Sequence, residues 1–227
     1  MPRLLLLVLL ALAACADPAE TAPEAGPVPA TTDALAAEAV EIAPADSAEA
    51  AANRALAVGE TAPDFALPTA SGESVRLSDL TARGPVVLTF YRGAWCPYCN
   101  TQLRDYQSRL DEIERRGAAL VAISPQVPDS SAVMESENAL GFPVLSDVGG
   151  TVSDAYGLLF RVDSERREVY RAQGIDLERY NGTDDWVLPV PATYVIDADG
   201  VVRSAFVEID YTQRTTIGQV LSALAAV

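Results

Sequence analysis

The stretch that decides the fold reads Val86-Val87-Leu88-Thr89-Phe90-Tyr91-Arg92-Gly93-Ala94-Trp95-Cys96-Pro97-Tyr98-Cys99. Its apolar first part, residues 86–91, is typical of a buried strand. After it, apolar residues recur at helical spacing through residues 103–113, which predicts a helix that begins near residue 97 and ends before a glycine. Cys96 and Cys99 therefore lie where a strand has ended and a helix begins.

Two cysteines at a helix start have a specific chemistry. The N–H groups of the first turn and the helix dipole favour negative charge, so a thiol there loses its proton near neutral pH. Such a thiolate attacks a disulfide, or attacks a peroxide to give a sulfenic acid that a second thiol converts to a disulfide. A structural disulfide in so small a ring constrains little of the unfolded chain, and a zinc site needs a second ligand pair. Cys96 and Cys99 are therefore predicted to be a redox dithiol.

Composition excludes most other chemistry. The chain has 227 residues, no histidine, three cysteines and 16 basic residues, all of which are arginine. Without an imidazole or an ammonium group it has no Ser-His-Asp or Cys-His nucleophile, no Schiff-base lysine and no phosphate loop of the GxxxxGK[ST] kind. A net charge of −16 argues against nucleic acid as a partner. No metal and no other cofactor is predicted.

On either side of the cysteines, strand-like and helix-like patterns alternate through residues 58–227. This alternation predicts an α/β domain with a central mixed β-sheet flanked by helices. Further strands are predicted at residues 118–124, 142–145, 191–196 and 201–207, and further helices at residues 129–140 and 217–224. Residues 161–188 are rich in charge and are predicted to be an insertion or a long loop.

The first 57 residues carry a different pattern. Residues 1–14 combine one arginine with an apolar run that is too short to span a bilayer, as in a signal peptide. The run ends in Leu12-Ala13-Ala14-Cys15, which resembles a bacterial lipobox and predicts lipid attachment at Cys15; a plain secreted protein or an uncleaved anchor is the alternative. Residues 15–57 are rich in Ala, Pro and Glu and are predicted to be a disordered linker. The chain is thus expected in the bacterial cell envelope, held to a membrane only by its lipid, with the domain facing the periplasm or the outside.

Residues 58–227 resemble the thioredoxin-fold superfamily and, within it, the peroxiredoxin-related alkyl hydroperoxide reductase and thiol-specific antioxidant (AhpC/TSA) family. The resemblance is carried by Val58-Gly59-Glu60-Thr61-Ala62-Pro63-Asp64-Phe65-Ala66-Leu67-Pro68, by Phe142-Pro143-Val144-Leu145-Ser146-Asp147 and by Tyr194-Val195-Ile196-Asp197-Ala198-Asp199-Gly200. It implies a thioredoxin-like fold, a peroxide as substrate and a thioredoxin-like protein as electron donor. The oligomeric state is not predicted.

The active-site pattern departs from that family. The peroxiredoxin pattern FYPxxxTxxC, laid on residues 90–99, places Arg92 at its proline, Cys96 at its threonine and Cys99 at its attacking cysteine. The activating arginine that the family carries later in the chain falls near Pro191. By contrast, WCxxC together with Val190-Pro191-Ala192-Thr193 is similar to ordinary thioredoxins. That second resemblance implies a cis peptide bond before Pro191, an attacking Cys96 and a resolving Cys99.

The physical argument favours Cys96 as the attacking thiol, because it lies nearer the helix end and is expected to be more exposed than Cys99. Arg92 is expected to stabilise the thiolate or to orient a peroxide oxygen, with a solvated side chain as the alternative. Trp95 is expected to shield the site. The function predicted is a thiol-dependent peroxidase. The alternatives are an envelope thiol-disulfide reductase or isomerase acting on exported proteins, and a binding module that has kept the fold.

Overall fold

The structure is a computed structural model that describes residues 45–227. The predicted signal peptide at residues 1–14, the predicted lipid site Cys15 and residues 16–44 of the predicted linker lie outside the described residues. Within residues 45–227 the strands are β1 (Ala66–Pro68), β2 (Ser74–Arg76), β3 (Val86–Phe90), β4 (Ala119–Ser124), β5 (Val144–Ser146), β6 (Leu159–Arg161), β7 (Val187–Pro189), β8 (Ala192–Ile196) and β9 (Val202–Val207). The helices are α1 (Ala48–Ala52), α2 (Leu77–Thr81), α3 (Pro97–Ser108), α4 (Leu110–Glu114), α5 (Pro128–Glu137), α6 (Thr151–Ala155), α7 (Ser164–Ala172), α8 (Leu177–Asn181) and α9 (Ile217–Leu224).

A five-stranded mixed sheet forms the centre, with the strand order β5-β4-β3-β8-β9. The middle strand β3 pairs in parallel with β4 and antiparallel with β8. All five of its residues are buried, as the apolar run in the sequence predicts. The α/β class with a central mixed sheet is confirmed, and the predicted strands agree with the observed ones to within two residues.

The two faces of β3 pack against different layers, because successive side chains of a strand point to opposite sides. Phe90 packs on one side against the rings of Tyr156 and Tyr194, with centroid distances of 5.0 and 6.2 Å. Val87 packs on the other side in a cluster that includes Leu103 of α3 and apolar residues of α9. The helix that begins at the cysteines is thereby fixed to the carboxyl end of the central strand.

Two predictions about helices need correction. The single helix predicted through residue 116 is two helices, α3 and α4, which meet at Arg109, whose φ of −130° is not helical. Residues 161–188, predicted to be an insertion or a long loop, are not a plain loop, because they contain α7, α8 and β7. Asp163 and Asp176 cap α7 and α8 by accepting hydrogen bonds from backbone N–H groups. Short amphipathic helices of this kind carry many charges on their exposed side, which hides them in a charge-rich sequence.

The last part of the predicted disordered linker is folded. Ser47 caps α1, and Ala51 of α1 is fully buried (0% exposed) against the central sheet layer. The backbone N–H of Leu56 donates to the Tyr156 carbonyl (3.1 Å). Alanine lacks bulk but loses no side-chain entropy, so an Ala-rich helix can pack closely on a domain that supplies the larger apolar groups. Across residues 45–227 we find no helix with the length and apolar character needed to cross a bilayer.

A substitution at Gly157 tests whether residues 45–57 pack against the domain. Its φ is +69°, and a Cβ there would lie 2.1 Å from the carbonyl oxygen of Arg54. Gly157→Ala is therefore expected to lower the free energy of unfolding by about 3 kcal/mol in chemical denaturation. Gly174, with a φ of +74° and open space around it, is the matched control, for which the same substitution costs about 1 kcal/mol. Equal losses at the two positions would contradict the packing of this segment.

Candidate active site

Cys96 is the N-cap residue of α3, and Cys99 lies in the first turn of that helix. The backbone of Cys96 is extended (φ −93°, ψ 114°), and Pro97 occupies the first helical position, where its missing N–H costs nothing. Both cysteines are unpaired thiols. Cys96 is 1% and Cys99 0% exposed, so the expectation that Cys96 is an exposed thiol is wrong.

A guanidinium group that the sequence did not predict lies against both sulfurs. Arg214, in the segment between β9 and α9, places its Nη2 3.5 Å from Cys99 Sγ and 3.9 Å from Cys96 Sγ. This segment is polar and carries no motif. The sole signal in the sequence is that Arg214 is the one basic residue after Arg203. The burial of Cys96 follows from this contact and from the close packing of the helix start.

The two thiols have opposite acidities. The Cys99 thiol donates a hydrogen bond that stabilises the Cys96 thiolate, and this bond, with the charges of Arg92 and Arg214 and the backbone N–H of Cys99, outweighs burial and lowers the pKa of Cys96 to about 5. Burial raises the pKa of Cys99 well above its ordinary value. Cys96 is therefore the more acidic of the two thiols, with Cys99 protonated beside it at neutral pH. The assignment of Cys96 as the attacking thiol stays a prediction, which this difference in acidity favours.

Arg92 is a buried cation held by aromatic rings. It is 3% exposed, so the alternative of a solvated side chain is wrong. Its guanidinium carbon lies 4.9 Å from the ring centroid of Trp95, 5.7 Å from that of Tyr170 and 4.1 Å from that of Tyr211, and Nη2 donates a hydrogen bond to the Tyr170 hydroxyl. These rings stabilise the charge through cation–π contacts. Within residues 45–227, neither Arg92 nor Arg214 forms a salt bridge with a carboxylate.

Trp95 and Pro191 flank the site in different ways. Trp95 is half-buried: its ring lies 5.6 Å from that of Tyr170, and it also packs against the buried cluster that contains Cys96 and Cys99. Pro191 is not preceded by a cis bond: the described residues contain none, so that prediction is wrong. Pro191 directly precedes β8, and its carbonyl accepts a hydrogen bond from the N–H of Glu208 (2.9 Å), the residue after β9.

Arg92 borders a cavity of about 360 Å³. Tyr170, Pro191 and Tyr211 also contribute to its walls. Neither cysteine lines this cavity, so of the site residues predicted from sequence only Arg92 and Pro191 border it. In the described part of the chain, no three Cys, Asp or Glu side chains converge as metal ligands.

Comparisons with known proteins agree on one family. The sequence profile of the AhpC/TSA family matches residues 58–205. Putative peroxiredoxin Rv2521 of Mycobacterium tuberculosis is 33% identical over 147 residues, which cover 65% of this chain and 82% of that protein. Peroxiredoxin Bcp of Escherichia coli is 27% identical over 151 residues, 66% of this chain and 85% of that protein. The crystal structure of peroxidoxin BcpB from Mycobacterium tuberculosis superposes with a TM-score of 0.59 at 26% identity, covering 75% of this chain and 97% of that one.

The hydrogen bond from Cys99 to Cys96 is open to direct test. Cys99→Ala removes the donor and is expected to make the Cys96 thiol about tenfold less acidic, because that bond is the largest contribution to its low pKa. Thiolate absorbance at 240 nm, followed against pH in a Cys15→Ala background, measures this. Cys99→Ser keeps a hydroxyl donor, so the pKa of Cys96 in this variant is expected to lie between those in the wild type and in Cys99→Ala. An unchanged midpoint in Cys99→Ala would show that Cys99 does not stabilise the thiolate.

Proposed function

Since this chain belongs to the AhpC/TSA family, we propose that it is a thiol-dependent peroxidase in which Cys96 attacks the peroxide and Cys99 resolves the product. The observation that carries the proposal is the pair of buried thiols at the start of α3, Cys96 at the cap and Cys99 in the first turn, with Nη2 of Arg214 3.9 and 3.5 Å from their sulfurs. A low thiol pKa supplies the nucleophile at neutral pH, and burial removes the water that would weaken the charges acting on it.

In the first step, the Cys96 thiolate attacks one oxygen of the peroxide. The sulfur–oxygen bond forms as the oxygen–oxygen bond breaks, and the second oxygen leaves with the bonding electron pair. Sulfur is oxidised to a sulfenic acid, and the peroxide is reduced to water or an alcohol once the leaving oxygen takes a proton from solvent. The charges of Arg92 and Arg214 keep Cys96 ionised for this step.

In the second step, Cys99 attacks the sulfenic sulfur of Cys96. The sulfur–sulfur bond forms, and the sulfenic oxygen leaves as water together with the Cys99 proton. Cys99 lies in the first turn of the helix that Cys96 caps, and Nη2 of Arg214 contacts both sulfurs, so the attack needs little movement of α3. An external dithiol protein of the thioredoxin type then returns two electrons through a mixed disulfide and regenerates both thiols. No prosthetic group takes part in the cycle we propose.

The second candidate, a thiol-disulfide reductase or isomerase acting on exported proteins, uses the same dithiol. It would need the attacking sulfur to meet a disulfide on a folded or unfolding protein. With Cys96 1% exposed and Arg214 against it, a small peroxide reaches the sulfur with less rearrangement than a protein does. The trans bond before Pro191 also removes one resemblance that favoured this candidate. We therefore place the peroxidase first.

We also propose that the chain is a lipoprotein of the bacterial cell envelope, attached through Cys15. The proposal rests on the apolar run of residues 4–14 and on Leu12-Ala13-Ala14-Cys15. The distance along the chain supports it, because residues 16–44 separate Cys15 from the first residues that the structure describes. A domain so tethered would meet peroxides outside the cytoplasm.

Stopped-flow mixing with hydrogen peroxide tests the assignment of the two thiols. The reduced protein is expected to react at least about 100-fold faster than a free thiolate, because fixed positive charges stabilise the displaced oxygen. Cys99→Ser is expected to stop at a sulfenic acid on Cys96 that dimedone labels, and Cys96→Ser is expected to be inert. A label on Cys99 in the Cys96→Ser variant would reverse the roles. A wild-type rate no higher than that of a free thiolate would remove the peroxidase function.

The anchor is tested by Cys15→Ala in bacterial cells that express the full chain. The wild-type protein is expected in the membrane fraction with a mass increased by lipid, and the variant in the soluble fraction, since a protein without its acyl chains lacks the attachment. Cys96→Ser serves as a matched control that stays with the membrane. Membrane retention of Cys15→Ala would contradict the lipid anchor.

A further inference from the structure

The Nε–H of Arg214 donates to no acceptor within the described part of the chain. Its Nη2 faces the two sulfurs, and its Nη1 donates to the carbonyl oxygen of Gln213 (2.7 Å). Its Nε is buried without an acceptor among residues 45–227. A buried N–H that makes no hydrogen bond costs about 1–3 kcal/mol. Next to a nucleophilic sulfur, such a donor marks a place for an oxygen that arrives only during the reaction.

The backbone around Arg214 is held by the same helix that begins at Cys96. The Tyr106 hydroxyl of α3 donates to the carbonyl oxygen of Thr215 (3.0 Å). The Asp105 carboxylate accepts from the Ile217 N–H (3.1 Å). These two bonds lie one and three residues beyond Arg214, so its guanidinium and the sulfurs share one rigid support. Such preorganisation is what makes a hydrogen-bond donor effective in a transition state.

Arg92 is not placed to donate a hydrogen bond to an oxygen at the sulfurs. Three rings surround its guanidinium, with the Tyr211 centroid 4.1 Å from its central carbon, and its Nη2 is engaged by the Tyr170 hydroxyl. It acts on Cys96 by charge from a distance. Pro191, where the family resemblance places an activating arginine, has neither a side-chain donor nor a backbone N–H. Arg214 is therefore the cation in contact with the sulfurs that also has a free N–H.

We propose that Arg214 is a catalytic residue of the peroxide reduction proposed above, with its Nε–H donating to the peroxide oxygen that departs. An oxygen attacked by Cys96 Sγ lies within reach of the guanidinium that already contacts that sulfur. As the oxygen–oxygen bond breaks, the departing oxygen gains the bonding pair and its negative charge, and the guanidinium stabilises it without giving up a proton. Solvent then protonates the alkoxide or hydroxide. The other oxygen stays on sulfur as the sulfenic acid.

The test compares a reaction that has a departing oxygen with one that has none. Arg214→Gln, Arg214→Lys and the distant control Arg116→Gln are made in the full chain with Cys15→Ala. Rates with hydrogen peroxide and with iodoacetamide, both neutral reagents, are measured at one pH and divided by the thiolate fraction read at 240 nm. This division removes any effect that acts only through the acidity of Cys96.

Arg214→Gln is expected to lose about 100-fold in the corrected peroxide rate, the usual loss for one oxyanion donor, and to stay within about threefold for iodoacetamide. Arg214→Lys keeps the charge without the Nε–H at that place, and is expected to retain an acidic Cys96 and still lose most of the peroxide rate. The distant control Arg116→Gln is expected to keep the corrected peroxide rate.

Three results would overturn the assignment of Arg214. An unchanged corrected peroxide rate in Arg214→Gln would show that it acts only through acidity. Equal losses with both reagents would show that it affects access or folding rather than the departing oxygen. A wild-type protein that iodoacetamide modifies rapidly but peroxide oxidises no faster than a free thiolate would instead refute the proposed function, and this inference with it.

Discussion

The negative charge on Cys96 is the constraint on which the rest of this site depends. A buried thiolate needs donors and cations, and a chain with no histidine and no lysine can supply cations only as arginine. Arg92 and Arg214 reach the site from opposite ends of the domain sequence, one directly after β3 and one before α9. In a chain with a net charge of −16, neither forms a salt bridge to a carboxylate within the described residues. Aromatic rings hold one of them and the sulfurs hold the other, so both charges remain available to the thiolate.

The central fold was predictable because its signals are local. The apolar run of β3 and the helical spacing after Cys96 each belong to one element, and together they require a strand that leads into a helix. The outer parts were not predictable in the same way. Ala51 is buried only because the domain offers a surface to a helix of small residues, and α7 exposes most of its charges. From composition alone, the segment around Ala51 is predicted to be flexible and that of α7 to be polar, since composition carries no information about what packs against them.

The candidate site likewise has a part that local sequence signals predict and a part that depends on long-range packing. Cys96, Cys99 and Arg92 are close in sequence, so spacing alone brought them together. Arg214 lies 118 residues from Cys96, and its place depends on the bond from Tyr106 to the carbonyl of Thr215, which no motif reveals. The exposure of Cys96 and the cis bond before Pro191 were expected by analogy with thioredoxins. Both thiols are buried instead, with the Arg214 guanidinium beside them, and the described residues contain no cis bond.

The pH dependence of the peroxide reaction tests this account most directly. The second-order rate constant of the reduced protein with hydrogen peroxide is measured from pH 3.5 to 9.5. Because the attacking species is the thiolate and the pKa of Cys96 lies near 5, the account predicts a rate that is level through neutral pH and falls only as the pH drops through about 5. A rate that keeps rising until about pH 8.5, where an ordinary cysteine ionises, would show that the two arginines and Cys99 do not stabilise the thiolate.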